Sequence, residues 1–352
     1  MAFYISAPFF QPSKFLLSTS SLSLYWLTIP IVLIVTLKLY QYFFPLKIRQ
    51  KSFASIFPRE ISLWLVIPFF FVSLIQLYLY PWHSTFARDS HFGTISALVR
   101  FIWLALAPLS LNSSAKSTNI LYLILSGILS LVDGSRSVFF ICFLISISKF
   151  FYSKVKIFLI LLFLVFFLLV IAAVRSGWDI YGFTNGLVGE QTLSTMTFLN
   201  TLNFSFSDPE KFHQFIYLIS IPIIFPFVKI LNYFVDDFAH LDVMNQYSYF
   251  QEMGGGFIGT HFVPLGSLSV ILLPLYMIIT LYITNLLLSW YSPLISCFVP
   301  ILFVKTSPYV YWNFVYMLAF FLFIFSLLIR SSFFNKIFKP IAGNSYEPFS
   351  TF

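Results

Sequence analysis

Charge is what this 352-residue sequence has least of. Charged residues make up 9%, where an ordinary soluble domain carries roughly 25%. That is too little to coat a water-facing surface, and it excludes a soluble globular enzyme. Cysteine is almost missing too. Cys142 and Cys297 both fall inside apolar runs, which excludes a disulfide framework and a cysteine metal cluster and predicts two buried free thiols. A glycine-rich phosphate loop is absent, as are internal repeats and a low-complexity tail. The net charge of +8 gives no nucleic-acid face, because the basic residues lie in loops between apolar runs. No metal and no cofactor is expected.

Apolar residues are what remains. They make up 59% of the chain, with 48 phenylalanines, and runs of about 18 or more recur along its length. The phenylalanine excess is read as lipid-facing positions under loose constraint. The predicted fold is all-α: a polytopic helical membrane protein of about 9–11 transmembrane helices, forming a single integral domain over 1–352. Lys14 precedes the first run and no small-residue cleavage site follows, so that run is predicted to be a span.

Spans are expected near 22–40, 61–80, 94–111, 119–132, 138–151, 157–174, 266–289, 292–306 and 309–329. Short loops rich in lysine and arginine belong in the cytoplasm. Lys38, Lys47, Arg49, Lys51 and Arg59 put the first loop inside. Lys116 does so for the third, Lys149, Lys154 and Lys156 for the fifth, and Arg330, Lys336 and Lys339 for the C-terminal end. These agree with one alternation, against which Lys305 is a single dissent. Asp133–Ser137 and both ends of 175–262 then lie outside. Residues 175–262 must cross an even number of times. Two crossings near 192–207 and 213–232 are one arrangement, with polar Asn200 and Asn203 in the first and Pro222 and Pro226 in the second. The favoured arrangement is a long outer segment carrying a kinked, partly embedded helix.

Titratable residues gather on that outer side. Eight of the twelve acids lie in 175–262: Asp179, Glu190, Asp208, Glu210, Asp236, Asp237, Asp242 and Glu252. All five histidines, His83, His91, His213, His240 and His261, fall there or in the second loop. For any one of them, a polar loop facing water is explanation enough. Four arginines are harder to dismiss. Arg88, Arg136 and Arg175 are predicted outside and Arg100 within a span, where the positive-inside tendency disfavours them. An ion pair with Asp133 would occupy Arg136, snorkelling would explain Arg175, and helix-to-helix bonding would explain Arg100. The alternative is an anion site. Guanidinium forks match phosphate oxygens, and the helix start after Gly134–Ser135 offers free backbone N–H groups. A lipid-linked phosphate would reach such a site from the outer leaflet.

Three stretches carry a family resemblance. Ser126-Gly127, followed by Asp133-Gly134-Ser135-Arg136-Ser137 between two short spans, resembles a segment of the O-antigen polymerases, the Wzy-type oligosaccharide repeat-unit polymerases. Ile221-Pro222-Ile223-Ile224-Phe225-Pro226-Phe227-Val228-Lys229 is similar to a second segment of that family. Gly254-Gly255-Gly256-Phe257-Ile258-Gly259, with Pro264-Leu265-Gly266, resembles a third. Arg175, eleven residues before Gly186, matches a spacing in outer loops of some members. The resemblance covers roughly 119–285 and the general layout of the chain. It departs from the family at Thr260-His261, where an acid often follows the glycine-rich turn.

The resemblance implies a metal-independent glycosyltransferase on the periplasmic face of the bacterial inner membrane. It would transfer a growing glycan, O-antigen or capsule, from undecaprenyl pyrophosphate to the next lipid-linked repeat unit. The developing charge on the leaving pyrophosphate needs fixed cations, for which Arg136 and Arg175 come first and Arg100 and Arg88 second. A base at the acceptor hydroxyl would be Glu252, His261, Asp179 or Glu190. Trp178, Tyr181 and Tyr249, with Tyr247 and Phe250, would stack on sugar rings, although an interfacial aromatic belt accounts for them equally. The implied partners are membrane lipid, the undecaprenyl-pyrophosphate-linked oligosaccharide, a chain-length regulator and a flippase, with no nucleic acid. An O-antigen ligase shares fold and leaving group. A lipid-linked oligosaccharide flippase or other transporter would have more spans and shorter loops. A membrane acyltransferase would carry a histidine motif that His83 and His91 do not form.

Overall fold

A computed structural model describes residues 34–35, 38–42, 52–56, 61–79, 92–111, 116–133, 138–148, 166, 208–227, 262, 265, 269–304 and 308–330. Among the described residues the structure is helical throughout, with no strand. The helices are α1 (Phe53–Ile56), α2 (Ile61–Leu79), α3 (Phe92–Leu111), α4 (Lys116–Asp133), α5 (Val138–Ser148), α6 (Asp208–Ile224), α7 (Ser269–Leu288), α8 (Pro293–Phe298) and α9 (Pro308–Arg330). A 3₁₀ turn, Phe225–Phe227, extends α6, and a second, Val299–Val304, extends α8.

Among the described residues, two helices are long and apolar enough to cross a membrane, Ile271–Leu288 in α7 and Pro308–Leu328 in α9. The expected spans near 61–80, 94–111, 119–132, 138–151, 266–289 and 309–329 each coincide with a helix. Those near 22–40 and 157–174 lie almost entirely outside the described residues. The stretch near 292–306 differs. It is a six-residue α-helix followed by a 3₁₀ turn rather than one continuous helix. Proline accounts for this. Pro293 suits the first helical position, but Pro300 has no N–H for the carbonyl of Ser296 and clashes with it. The chain tightens into 3₁₀ at that point.

The interior is mostly apolar, but it holds polar side chains as well. Ser73 and Gln76 of α2, Thr118, Asn119 and Ser126 of α4, Thr280 and Thr284 of α7 and Ser326 of α9 are buried. Outward positions are apolar: Phe71, Val72 and Ile75 on α2, Ile120, Ile124 and Ile128 on α4, Phe320, Phe323 and Leu327 on α9. Scattered exposed hydrophobics are ordinary. Apolar stripes at helical spacing on the outward faces are compatible with lipid contact. The serines fit this. Ser73, Ser146, Ser220 and Ser326 each donate to a carbonyl three or four residues back in their own helix. A hydroxyl is thereby satisfied without water.

Phe320 gives a direct test. It is 64% exposed near the middle of α9. A carboxylate there costs about 3 kcal/mol if the face meets hydrocarbon, so Phe320→Asp should lower the inserted-to-uninserted ratio of α9 by roughly a hundredfold in an insertion assay on that helix. Unchanged insertion would place that face against water.

The chain divides into two compact units. The first comprises Arg49–Asp179, Leu287–Val299 and Met317–Phe352. In it α3 is central and packs against α1, α2, α4, α5 and α8. Its side chains from Trp103 to Ala107 and at Leu109 are buried on all sides, as a helix without a polar face requires. The start of α1 is capped in an unusual way. Its first N–H groups, Phe53 and Ala54, donate to the carbonyls of Trp290 and Tyr291, both at 3.0 Å. Groups that a four-residue helix cannot satisfy internally are thus paired.

The second unit comprises Met1–Ile48, Ile180–Leu286 and Pro300–Tyr316. Helix α6 starts with Asp208, Pro209 and Glu210, acids that complement its positive end, and Lys211 lies 3.4 Å from Asp208. Two faces of α6 are apolar. Tyr217, Leu218, Ile221 and Pro222 are buried, while Phe212, Ile216, Ile219 and Ile223 are exposed.

Candidate functional site

Of the residues proposed for catalysis, pyrophosphate binding or sugar stacking, Arg100 alone falls within the described structure. Arg88, Arg136, Arg175, Asp179, Glu190, Glu252, His261, Trp178, Tyr181 and Tyr249 lie outside the described residues. Arg100 is half-buried on α3 between Val99 and Phe101, both buried. Its surroundings follow from the helices. A four-residue connection joins α3 to α4, and another joins α4 to α5. Short connections between packed helices make them antiparallel neighbours. Trp103 of α3 meets Tyr122 and Ser126 of α4. Arg100 is three residues, roughly 4.5 Å, from Trp103 along α3, away from the α3–α4 connection. The end of α4 at Asp133 is seven residues, roughly 10 Å, from Ser126 in that same direction. Arg100 therefore shares one half of the first unit with the end of α4 and the start of α5, the two positions that bracket Arg136.

Beneath that end lies a buried polar–aromatic cluster. The Trp103 indole N–H donates to Ser126 Oγ at 3.1 Å, and its ring stacks on Tyr122 with centroids 4.8 Å apart. The Tyr122 hydroxyl donates to the Trp103 carbonyl. The Tyr291 hydroxyl donates to the Ala105 carbonyl at 2.9 Å, and its ring stacks on Phe53. Burial pushes the Tyr291 phenol well above its usual value, so it stays neutral and serves as a donor. These contacts hold α1, α3, α4 and the turn after α7 in register. In the sequence Ser126 stands out only through the family resemblance, and Trp103, Tyr122 and Tyr291 do not stand out at all. Their sole signal was a large amphipathic ring inside an apolar run, which needs a polar partner when buried.

Cys142 is buried and free, as expected, but Cys297 is exposed. In the six-residue α8 the inward side is taken by Ile295 and Ser296, which turns the neighbouring Cys297 outward. Among the described residues, no group of three or more histidine, cysteine, aspartate or glutamate side chains could hold a metal ion.

In the second unit the stretch from Ile221 to Phe227 ends α6. Pro226 has no N–H to give to the carbonyl of Pro222, four residues back. The hydroxyl of Tyr316 on α9 donates to that carbonyl. The ring of Phe225 lies between those of Tyr309, at 5.1 Å, and Tyr316, at 6.0 Å. Further along, Trp312 donates its indole N–H to the Tyr276 hydroxyl at 2.9 Å, and Tyr311 pairs with Thr284 at 2.8 Å. The spacing of Pro222 and Pro226 thus has a local reason: the break it creates is mended from α9. A shallow groove between α6 and α7 is bordered by Phe215, Leu218, Pro222, Phe262, Leu272 and Tyr276 among others.

This chain matches no family model, no curated protein and no solved structure.

Proposed function

We propose that the chain is a polytopic inner-membrane glycan polymerase of the O-antigen polymerase type. It transfers a growing oligosaccharide from undecaprenyl pyrophosphate to the next lipid-linked repeat unit at the periplasmic face. One observation carries the reading. Arg136 stands in a four-residue connection between two packed apolar helices, two residues before the start of α5, and Arg100 lies in the same half of the unit. Guanidinium groups beside the free N–H groups of a helix start are suited to pyrophosphate oxygens. Arg175 and Arg88 complete the cationic set. The base at the acceptor hydroxyl is Glu252, with His261, Asp179 and Glu190 as its rivals, and Trp178, Tyr181 and Tyr249 present rings to the sugars. A catalyst of this kind acts through electrostatic stabilisation of the departing pyrophosphate and proton removal from the incoming hydroxyl.

The second unit bears on how 175–262 meets the membrane. Phe225 contacts Tyr309 and Pro222 contacts Tyr316. Rising numbers on α9 therefore pair with falling numbers on α6, and the two run antiparallel. With the end of α9 drawn inward by Arg330, Lys336 and Lys339, α6 runs outward. Its exposed apolar stripe is suited to lipid. This supports the paired crossing over the single embedded helix.

The test is the banding of surface glycan on a gel, from cells lacking the chain and cells with it restored. A ladder that collapses to core plus one repeat unit, and returns on restoration, is the expected result. Loss of even the single capped repeat would replace the polymerase with a ligase or flippase.

A further inference from the structure

We propose that Gln76 of α2 is a further binding residue, whose side-chain amide donates to the lipid-linked pyrophosphate beside Arg100. The inference rests on the pyrophosphate reading of this end of the first unit and deepens it with a neutral donor. Gln76 stands out by its burial. It is only 7% exposed, while its neighbours Ile75 and Tyr78 are 58% and 83% exposed. It therefore belongs to the inward stripe of α2 with Val66 and Ser73, which are also buried. Ser73 satisfies its hydroxyl within the helix, on the Phe69 carbonyl. Gln76 has no hydrogen-bond partner among the described residues. A carboxamide carries two donor hydrogens and an acceptor oxygen, and buried groups of this kind are nearly always bonded. Left bare in an apolar interior it destabilises the fold, where leucine of similar size would not. A ligand accounts for the amide and packing does not.

Its depth says which ligand. The ring of Phe70 lies 6.4 Å from that of Trp103, which sets α2 against α3. These helices coincide with consecutive expected spans, and consecutive spans run antiparallel. Gln76 is six residues, roughly 9 Å, beyond Phe70 along α2. Arg100 is roughly 4.5 Å from Trp103 in the same direction, and the end of α4 at Asp133 is roughly 10 Å from Ser126. Gln76 is therefore about one helical turn further out than Arg100 and level with the end of α4. Helix α2 packs against both α3 and α4, so its inward stripe faces them. A group that reaches this amide also meets the fixed cation on α3, which selects an anion. Phosphate oxygens accept from guanidinium and amide N–H alike. A neutral donor adds direction to the site without burying a second cation at membrane depth.

The test measures binding of undecaprenyl pyrophosphate to the full chain in mild detergent, with undecaprenol and phosphatidylglycerol as comparison lipids. The unaltered protein should bind the pyrophosphate well above both. Gln76→Leu should weaken that binding by about tenfold, the loss of one hydrogen bond to a charged group, while its unfolding midpoint stays the same or rises. Gln76→Glu keeps the shape but replaces the donors with a negative charge, so it should weaken binding further. Ser73→Ala, on the same stripe, should bind as the unaltered protein does. Unchanged affinity in Gln76→Leu would reduce Gln76 to packing and overturn the proposal. So would an equal loss of undecaprenol binding, which assigns Gln76 to the hydrocarbon, or equal binding of phosphatidylglycerol, which assigns the amide to any lipid phosphate. Failure of the underlying reading looks different: the unaltered protein itself would not bind undecaprenyl pyrophosphate, and the proposal would go with it.

Discussion

Replacing Arg136 with alanine is expected to leave surface glycan at core plus one repeat unit while the protein still inserts in the membrane. Removing one preorganised donor to a developing oxyanion typically lowers turnover by about 10²–10³-fold, and a polymerase slowed that far loses its ladder. Arg136→Lys keeps the charge but loses the planar fork, so it should recover only part of the chain length. The competing account makes Arg136 a partner of Asp133, three residues away. The two accounts separate cleanly. If the ion pair were all that mattered, Asp133→Ala would shorten the glycan as much as Arg136→Ala, and the double variant would be no worse than either single one. If Arg136 holds pyrophosphate, Asp133→Ala leaves a near-normal ladder. Arg175→Ala should behave as Arg136→Ala does. Normal glycan length in both arginine variants would sink the anion site.

How much of this could be read from the sequence depends on which physical signal each element carries. Helices α2, α3, α4, α5, α7 and α9 were legible because long apolar runs bounded by polar or basic residues are a strong helix signal. The stretch near 292–306 was misjudged as one span because hydropathy alone is blind to the donor that Pro300 lacks. Cys297 was misplaced for a related reason, since in so short a helix the outward face depends on packing rather than on composition. Pro222 and Pro226 did announce a break in α6, but not what mends it. The Tyr316 hydroxyl comes from 94 residues further along the chain, and no local pattern predicts so distant a donor. The candidate site shows the reverse balance. Its arginines and acids stand out in the sequence because charge is rare there, whereas the cluster that braces the helices beneath them is made of tryptophan and tyrosine, hidden in a chain that is 21% aromatic.

That bracing predicts the largest effect on stability. Trp103→Ala should destabilise the protein by about 3 kcal/mol, the lower end of the range for truncating a buried large aromatic. The lower end is the right choice because lipid removes much of the hydrophobic transfer term and leaves the cavity and lost packing. Trp103 is fully buried, stacks on Tyr122 of α4, and lies 6.4 Å from Phe70 of α2 by ring centroids. Removing it empties the junction of three helices. The polar loss is small by comparison, because Ser126 can turn its hydroxyl to a carbonyl of its own helix as other serines here do. Trp103→Phe, which refills most of the space, should cost only about 1 kcal/mol. An unfolding titration in mixed micelles measures both. An alanine variant that unfolds at the same denaturant fraction as the unaltered protein would show that α3 is not the central brace. The comparison with Arg136 then separates two ways of losing glycan. Arg136→Ala should give folded, inactive protein in normal amount. Trp103→Ala should give less folded protein, and its glycan output should recover as expression is raised or growth temperature lowered. The Trp103 cluster and Arg100 are one helical turn apart on α3, so the brace and the charge share one rigid element, and loosening the brace lets Arg100 drift from the end of α4.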